Sequence, residues 1–208
     1  MVVQVYYDYK SYATYHGHSK GKDVTIAAPL ESFPLLIRGG SILSTRTRPR
    51  RSSPLMRYDP FTLTVALDKA NTARGELYLD DGETYSNEKG ELIWREFKAA
   101  HVGKKASSPI QITSSDLASL KGDVVVDGVS LVDRYSSSNP FATSLKNVEV
   151  EKVIVLGVQK KPARVSLSGS AAIIEWTWSD KTKETASVLT IKKPSVKVAQ
   201  DWVINISY

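Results

Sequence analysis

The sequence of 208 residues has no cysteine, only three histidines and no long apolar run. Without cysteine the chain has neither disulfides nor thiolate metal ligands, so its stability has to come from packing. The longest apolar stretches, such as residues 153–158, fall far short of the ~20 residues that span a bilayer. No membrane span is predicted.

Windows with apolar residues at helical spacing are also nearly absent. Instead, apolar residues alternate with polar ones through much of the chain, as in Phe61, Leu63 and Val65 or in Trp202, Ile204 and Ile206. This period of two is typical of half-buried strands. Turn signals such as Asp-Gly and Gly-Gly pairs separate the alternating runs. The sequence therefore predicts an all-β chain, with residues 113–120 as either one short helix or a loop.

A polar segment rich in arginine, serine and proline, residues 45–59, provides the best domain boundary. We predict a small proximal β domain over residues 1–58, with the arginine-rich linker at its end, and a larger distal β-sandwich over residues 59–208. The second stretch is long enough for two packed sheets. A complete βα barrel needs roughly 250 residues and alternating strands and helices, so no barrel is encoded.

The net charge of +6 comes largely from one arginine run. A nucleic-acid partner would favour a broader basic face with interleaved aromatics, and none is predicted. A solvated or interdomain loop is the favoured interpretation of this run. Contact with a protein partner through Arg48, Arg50 and Arg51 is the alternative.

The most acidic cluster, Asp80-Asp81-Gly82-Glu83, is the natural place to look for acid–base chemistry. Adjacent residues at a strand end point to opposite faces, so these carboxylates are not expected to face each other across a substrate. An Asp-Gly pair more simply forms the turn of a hairpin. No catalytic residue is predicted in this chain.

His16 and His18 could provide half of a zinc site, but only His101 remains to complete it. We predict no metal site and no bound cofactor. Asn205 lies in the one glycosylation sequon, Asn205-Ile206-Ser207, and alternation places it on the outer face of its strand. It is a candidate glycosylation site.

Five tyrosines crowd the beginning of the chain. Aromatic rings can stack on sugars or supply buried contact area at a domain interface. Packing against a preceding domain is the favoured interpretation for Tyr6, Tyr7, Tyr9, Tyr12 and Tyr15.

Several motifs, read in order, resemble the region that follows the catalytic barrel in glycoside hydrolase family 31. They are Tyr7-Asp8-Tyr9, Tyr15-His16-Gly17, VTIAAPL at residues 24–30, PLLIRGGSI at residues 34–42, RTRPRRSS at residues 46–53, LYLDDG at residues 77–82, and KKP with AQDW near the end. The resemblance covers nearly the whole chain and is weakest over residues 100–146. Its arginine and LYLDDG segments are most similar to the α subunit of the family's endoplasmic-reticulum glucosidase.

This resemblance implies the C-terminal, non-catalytic part of a retaining exo-α-glucosidase whose two catalytic aspartates lie upstream of this chain. For the endoplasmic-reticulum branch it implies trimming of α-1,3-linked glucose from N-glycans in the lumen of that organelle. The implied partners are the upstream catalytic barrel, a β subunit and the N-glycan substrate. The alternatives are another family 31 α-glucosidase or α-xylosidase, or a free-standing β-sandwich that binds carbohydrate or protein.

Overall fold

The computed structural model describes residues 4–18, 20–21, 23–103, 108–117, 125–126, 129–130 and 139–208. Strands dominate these residues, as the alternating pattern predicts. The strands are β1 Val5–Asp8, β2 Thr14–His16, β3 Leu36–Arg38, β4 Ser41–Thr45, β5 Phe61–Ala66, β6 Ala73–Leu79, β7 Ile93–His101, β8 Ile110–Asp116, β9 Val125–Val126, β10 Val129–Ser130, β11 Glu149–Leu156, β12 Arg164–Leu167, β13 Glu175–Ser179, β14 Val188–Lys197 and β15 Trp202–Ser207. Two 3₁₀ turns, Ser53–Met56 and Ser86–Lys89, and one short helix, α1 Pro140–Ser144, complete the described elements.

Most strands join one ten-stranded sheet in the order β12-β15-β8-β7-β6-β4-β5-β11-β14-β13. Neighbours are mainly antiparallel, but β5 and β11 run parallel over their whole length. A separate three-stranded sheet has the order β2-β1-β3, and β9 pairs with β10. The predicted all-β class is confirmed.

The ten-stranded sheet folds over a single apolar core. Side chains from opposite ends of the strand order, such as Val165 of β12 and Ile191 of β14, belong to the same buried cluster as Phe97 from the middle. Alternate residues of β15 are buried, with Trp202, Ile204 and Ile206 facing the core. The sheet thus covers both sides of its core in a sandwich-like arrangement, held by apolar packing in the absence of disulfides.

The three-stranded sheet packs on the larger sheet through a second cluster that includes Val5, Tyr7 and Leu156. Gly39 lies between the two sheets: it donates its N–H to the Val5 carbonyl at 2.7 Å, and a Cβ atom there would lie 3.1 Å from the Leu67 carbonyl oxygen. A Cβ atom at Gly39 would lie 2.4 Å from a Val5 methyl group. Only glycine fits at position 39 without displacing these neighbours.

Strand β4 precedes the predicted domain boundary, yet it lies between β6 and β5 in the ten-stranded sheet. It pairs antiparallel with β5, from Ser41 opposite Ala66 to Thr45 opposite Thr62. The division into residues 1–58 and 59–208 stays a prediction. Its first part contributes one strand to the larger sheet.

The helix considered for residues 113–120 is wrong where the structure describes them. Thr113 to Asp116 continue strand β8, which pairs with β7 and β15. The strand period extends into this segment, since Ile112 and Ser114 are both buried and Thr113 between them is not. Residues 118–120 lie outside the described residues, as does the Asp127-Gly128 turn signal. No described helix is long and apolar enough to cross a membrane.

The sequence interpretation missed helix α1. Asn139 caps it, with its side-chain oxygen accepting the Ala142 N–H at 2.7 Å, and Pro140 occupies the first turn. An Asn-Pro pair is a recognisable helix start, because the asparagine satisfies an orphan N–H and proline has none to satisfy.

Candidate functional site

Two of the most distinctive sequence motifs meet in the structure: the arginine-rich residues 45–59, here called the arginine segment, and the loop that contains Asp80 to Glu83, here called the acidic loop. Arg46 and Arg57 from the first and Asp80 and Asp81 from the second line one cleft of about 280 Å³. Phe141 of helix α1 forms an apolar wall. We call this the arginine–acid cleft.

Arg50 and Asp59 form a two-pronged ion pair beside this cleft. Nε of Arg50 donates to one carboxylate oxygen at 2.9 Å, and its Nη2 donates to the other at 2.6 Å. Asp59 is only 5% exposed, and these hydrogen bonds hold the pKa of its carboxyl below the ordinary value. The pair fixes the end of the arginine segment just before β5.

Two further arginines are also engaged within the chain. Arg48 pairs with Glu151 of β11 at 2.8 Å. The guanidinium of Arg46 lies 4.3 Å above the ring of Phe61 and donates to the Arg57 carbonyl at 3.2 Å. The segment is therefore attached to the sheet surface by its own arginines.

Arg51 differs from these neighbours. It is exposed and makes no ion pair or hydrogen bond with any residue in the described part of the chain. The sequence suggests Arg48, Arg50 and Arg51 for contact with a partner. Arg48 and Arg50 form ion pairs within the chain, whereas Arg51 can pair with an acidic group of another molecule. Contact with a partner stays a prediction for all three.

The acidic loop connects β6 to β7 and uses its carboxylates for its own structure. Asp81 accepts the Thr84 hydroxyl at 2.6 Å and the N–H groups of Thr84 and Glu83, each at 3.0 Å. The Thr84 hydrogen bonds, together with that from Glu83, lower the pKa of Asp81 to about 2. Asp81 therefore remains a carboxylate at neutral pH and has no proton to donate as a general acid.

Asp80 is likewise engaged. One of its oxygens accepts the Gly82 N–H at 3.0 Å and the other accepts the Tyr78 hydroxyl at 3.2 Å. Gly82 adopts a positive φ of 69°, as the turn interpretation predicts, although the hairpin loop is longer than a two-residue turn. The arrangement supports turn formation and gives no facing carboxylate pair for glycoside hydrolysis.

The three histidines do not converge. His16 and His18 are exposed near β2, whereas Nδ1 of His101 lies 2.8 Å from the Ser108 carbonyl in the β7–β8 connection. Within the described residues, no group of three or more histidine, aspartate or glutamate side chains could hold a metal ion.

Asn205 lies on the outer side of β15, as alternation predicts, between the buried Ile204 and Ile206. Its amide nitrogen donates to the Ser168 hydroxyl at 2.9 Å, and its oxygen accepts the Gln111 amide at 2.8 Å. Glycosylation at Asn205 stays a prediction, and a glycan there would have to share a nitrogen that already donates to Ser168.

The tyrosine-rich beginning packs largely on the chain itself. Tyr7 is 4% exposed, and Tyr9 and Tyr12 cover the second apolar cluster. Tyr6 and Tyr15 are half-buried neighbours on β1 and β2. Part of the contact area expected at an interface with a preceding domain is thus used inside this chain.

A different segment presents the unpartnered apolar surface. Residues 23–36 run from the β2 connection into β3, and their largest apolar side chains are exposed: Leu30 fully, Phe33 by 79% and Val24 by 51%. We call this the exposed apolar segment. Several large apolar side chains exposed in one segment make it a candidate interaction surface. The sequence signal was an apolar run with neither helical nor alternating spacing.

No family model matches the chain. "Neutral alpha-glucosidase AB" of Dictyostelium discoideum is 34% identical over 186 residues, covering 88% of this chain and 16% of that protein. A crystal structure of the ER glucosidase II heterodimer, a catalytic subunit with the binding domain of a regulatory subunit, superposes with a TM-score of 0.75 at 33% identity. It covers 98% of this chain and 20% of that chain.

A glucosidase II α subunit crystallised with alpha3-Glc2 gives a TM-score of 0.76 at 33% identity, again over 98% of this chain and 20% of that one. More distant similarity, at 18% identity and a TM-score of 0.58, links the fold to a GH31 dextranase of Flavobacterium johnsoniae. The chain spans between 16% and 23% of the length of these proteins.

Proposed function

We propose that this chain, which is homologous along its length to the C-terminal part of glucosidase II α subunits in glycoside hydrolase family 31, is the non-catalytic part of such an enzyme. The complete enzyme would be a retaining exo-α-glucosidase that trims α-1,3-linked glucose from N-glycans in the endoplasmic-reticulum lumen. The observation that carries this proposal is the match of nearly the whole chain to one continuous part of those α subunits.

The residues of this chain indicate a structural role, with catalysis carried out by another part of the enzyme. The acidic cluster of this chain is committed to turn structure, so the catalytic carboxylates have to come from the preceding part of the enzyme. This chain would act by fixing the position of loops around the active site, where a shift of about 1 Å can cost catalysis about 100-fold.

The upstream catalytic barrel is the proposed occupant of the exposed apolar segment. Leu30 and Phe33 would be costly to leave in water in a protein that exists as this chain alone. The homologous α subunits have some four-fifths of their length outside the matched region, which supplies a covering surface. Tyr6 and Tyr15, half-buried in this chain, would complete the contact.

A β subunit is the second proposed partner. A relative of this chain was crystallised with the binding domain of a regulatory subunit. Arg51, exposed and without an ion pair in the described part of the chain, offers a charge for such a contact. Docking to the β subunit would also account for the proposed residence in the endoplasmic reticulum.

The test of the function combines this chain with the upstream part of the enzyme and offers four substrates: a monoglucosylated N-glycan, a diglucosylated N-glycan, maltose and an α-xyloside. We expect no hydrolysis by the chain alone and, after reconstitution, preference for the glucosylated N-glycans. Preference for maltose or xyloside would assign another activity of the same family. Failure of the chain to bind the upstream part, with no hydrolysis of any substrate, would favour a free-standing binding module.

A further inference from the structure

Three loops of the ten-stranded sheet converge at one of its ends. Strands β5 and β11 are parallel, so the residues that follow both strands emerge at the same end. Strand β14 is antiparallel to β11, so the turn that precedes β14 lies there too. Hydrogen bonds join the loops: Leu67 N–H to the Leu156 carbonyl at 3.1 Å, and Gly157 N–H to the Ser187 carbonyl at 3.0 Å.

The β1–β2 hairpin closes one side of this group of loops. Thr14 donates its N–H to the Glu184 carbonyl at 2.8 Å, and Ala186 donates to the Tyr12 carbonyl at 2.9 Å. Loops and hairpin together enclose a cleft of about 730 Å³, which we call the lysine cleft. Its volume lies within the range of small-molecule sites in proteins, about 300 to 1,000 Å³.

Each of the three loops contributes lysine to this cleft. Lys69 follows β5, Lys160 follows β11, and Lys181 and Lys183 lie in the β13–β14 turn. All four are exposed, and none forms an ion pair with any residue that the structure describes. Several unpaired cations around one concave surface raise the local concentration of anions.

The acidic residues nearby offset only part of this positive charge, because one carboxylate in the lining faces four lysines. Asp68 lines the cleft, but its carboxylate accepts the N–H groups of Ala70 at 2.9 Å and Thr72 at 2.8 Å and the Thr72 hydroxyl at 2.8 Å. Asp180 and Glu184 flank the lysines in the chain and are absent from the cleft lining. The excess of positive charge therefore faces the cleft.

One polar side chain beside the lysines is free of hydrogen bonds within the described part of the chain. Asn71 is only 6% exposed and lines the cleft, yet its side-chain amide makes no hydrogen bond to any described residue. The Asn71 amide is therefore available to a molecule that enters the cleft.

We propose that the lysine cleft binds a small, multiply charged anion of the phosphate-ester class. Lysine ammonium groups recognise phosphate as point charges, without the fixed geometry that a planar guanidinium imposes. The Asn71 amide, which both donates and accepts, would bind a phosphate oxygen or a hydroxyl group of the ester. An acidic protein surface would meet the lysines at the rim but would not reach the buried Asn71.

The site is independent of the glycosidase proposal, since it uses neither the arginine–acid cleft nor the exposed apolar segment. Binding is measured by isothermal titration calorimetry of the 208-residue chain with pyrophosphate and with glucose 6-phosphate, at constant ionic strength. Glucose is the uncharged reference. We expect both anions to bind, glucose not to bind, and affinity to fall as salt rises.

Two variants and one control locate the site. Lys181→Gln with Lys183→Gln should weaken binding at least tenfold, because it removes two of the four cations. Asn71→Gly keeps the left-handed backbone at φ 57° and removes only the amide, and it should also weaken binding. The control, Lys89→Gln with Lys146→Gln, removes the same charge from exposed lysines outside the cleft and should leave affinity unchanged.

Three results would overturn the proposal. They are no binding of either phosphate compound by the unaltered chain, equal loss of affinity in the control and cleft variants, and binding of an octaglutamate peptide that pyrophosphate fails to displace. No binding would mean that the cleft is not an anion site. Equal loss in the control would mean that the effect comes from overall charge, and binding of the peptide that pyrophosphate does not displace would mean that the cleft is a protein-binding surface.

Discussion

Tyr7 of strand β1 donates its hydroxyl to the backbone carbonyl of Leu67 at 2.6 Å, linking the three-stranded sheet to the end of β5 in the ten-stranded sheet. The residues are far apart in the chain, and the bond is buried. Burial, and next the negative charge of Asp68, raise the pKa of Tyr7 to about 12. The hydroxyl thus remains a donor throughout the neutral range.

Replacing Tyr7 with phenylalanine removes this donor while keeping the ring. We expect Tyr7→Phe to lower the free energy of unfolding by about 1 to 2 kcal/mol, the loss of one buried hydrogen bond. Urea denaturation measures it, with Tyr15→Phe, a half-buried tyrosine with no side-chain hydrogen bond to a described residue, as control. Since folding favours the neutral phenol, this stabilisation should be lost as pH rises from 10 towards 12. Equal stability of the two variants at neutral pH would contradict the link.

Gly157 makes room for the same hydroxyl. Its φ is 86°, and a Cβ atom there would lie 2.4 Å from the Tyr7 oxygen. Gly169 has a similar φ of 74° with nothing within 4 Å of the added atom, so Gly169→Ala measures backbone strain alone, about 1 kcal/mol. We expect Gly157→Ala to cost at least about 2 kcal/mol, because a steric clash adds to the strain.

A double-mutant cycle separates the clash from the strain. In a Tyr7→Phe background the hydroxyl is gone, so the cost of Gly157→Ala should fall towards that of Gly169→Ala. Additive losses in the cycle would mean that the Tyr7 hydroxyl and position 157 do not interact.

The acidic loop should give the chain a specific acid sensitivity. Asp81 has its pKa lowered from 3.8 to about 2 by hydrogen bonds that favour its charged form, so it stabilises the fold above pH 4 and loses that contribution as pH falls towards 2. We expect Asp81→Asn to have a lower melting temperature than the unaltered chain at pH 6, with the difference vanishing near pH 2. Thr84→Val, which removes the 2.6 Å hydroxyl donor, should reproduce part of this effect. A difference that does not change with pH would reject the assignment.

Alternation along the strands was enough to predict the fold class and the outward position of Asn205, because the side-chain period of a strand is a local property. The turn at Asp81-Gly82 was predictable for the same reason. The lysine cleft was not, since Lys69, Lys160 and Lys183 meet only through the pairing of β5 with β11 and of β11 with β14. Long-range pairing of this kind leaves no mark on the spacing of residues in the sequence.

The contacts of the arginine segment were also only partly predictable from the sequence. Its composition suggested a solvated or interdomain loop, but the partners of Arg50 and Arg48 are Asp59 and Glu151, of which the second is distant in the sequence. A partner contact is therefore tested best at Arg51. We expect Arg51→Glu to weaken binding of the β subunit or the upstream barrel by about fivefold at low salt, the scale of one surface charge pair.

Surface plasmon resonance with each partner measures this effect. The melting temperature of Arg51→Glu should match that of the unaltered chain, because Arg51 is exposed and has no ion pair in the described part. Arg50→Glu should instead lower it, since Asp59 would lose its partner while remaining buried. If Arg51→Glu binds both partners as tightly as the unaltered chain does, Arg51 does not contribute its charge to either interface.

The exposed apolar segment supports the sharpest prediction about assembly. Leu30 and Phe33 are exposed by 106% and 79%, and burying side chains of this size typically contributes about 1.5 to 3 kcal/mol each. Leu30→Ser with Phe33→Ser should therefore weaken binding to the upstream catalytic part by at least about 100-fold. The chain alone should keep its melting temperature, because neither side chain belongs to its core.

The matched control is Ile173→Ser, which removes an equally exposed apolar side chain, 99% accessible, from the connection between β12 and β13. It should leave binding to the proposed upstream part, and the glucosidase activity proposed for the reconstituted enzyme, unchanged. The double variant should lose both together as its dissociation constant rises. Activity that returns when the double variant is added in large excess would show that the segment acts through docking. Equal binding by the double variant and the control would mean that another surface contacts the proposed upstream part, because the double variant loses more exposed apolar area than the control does.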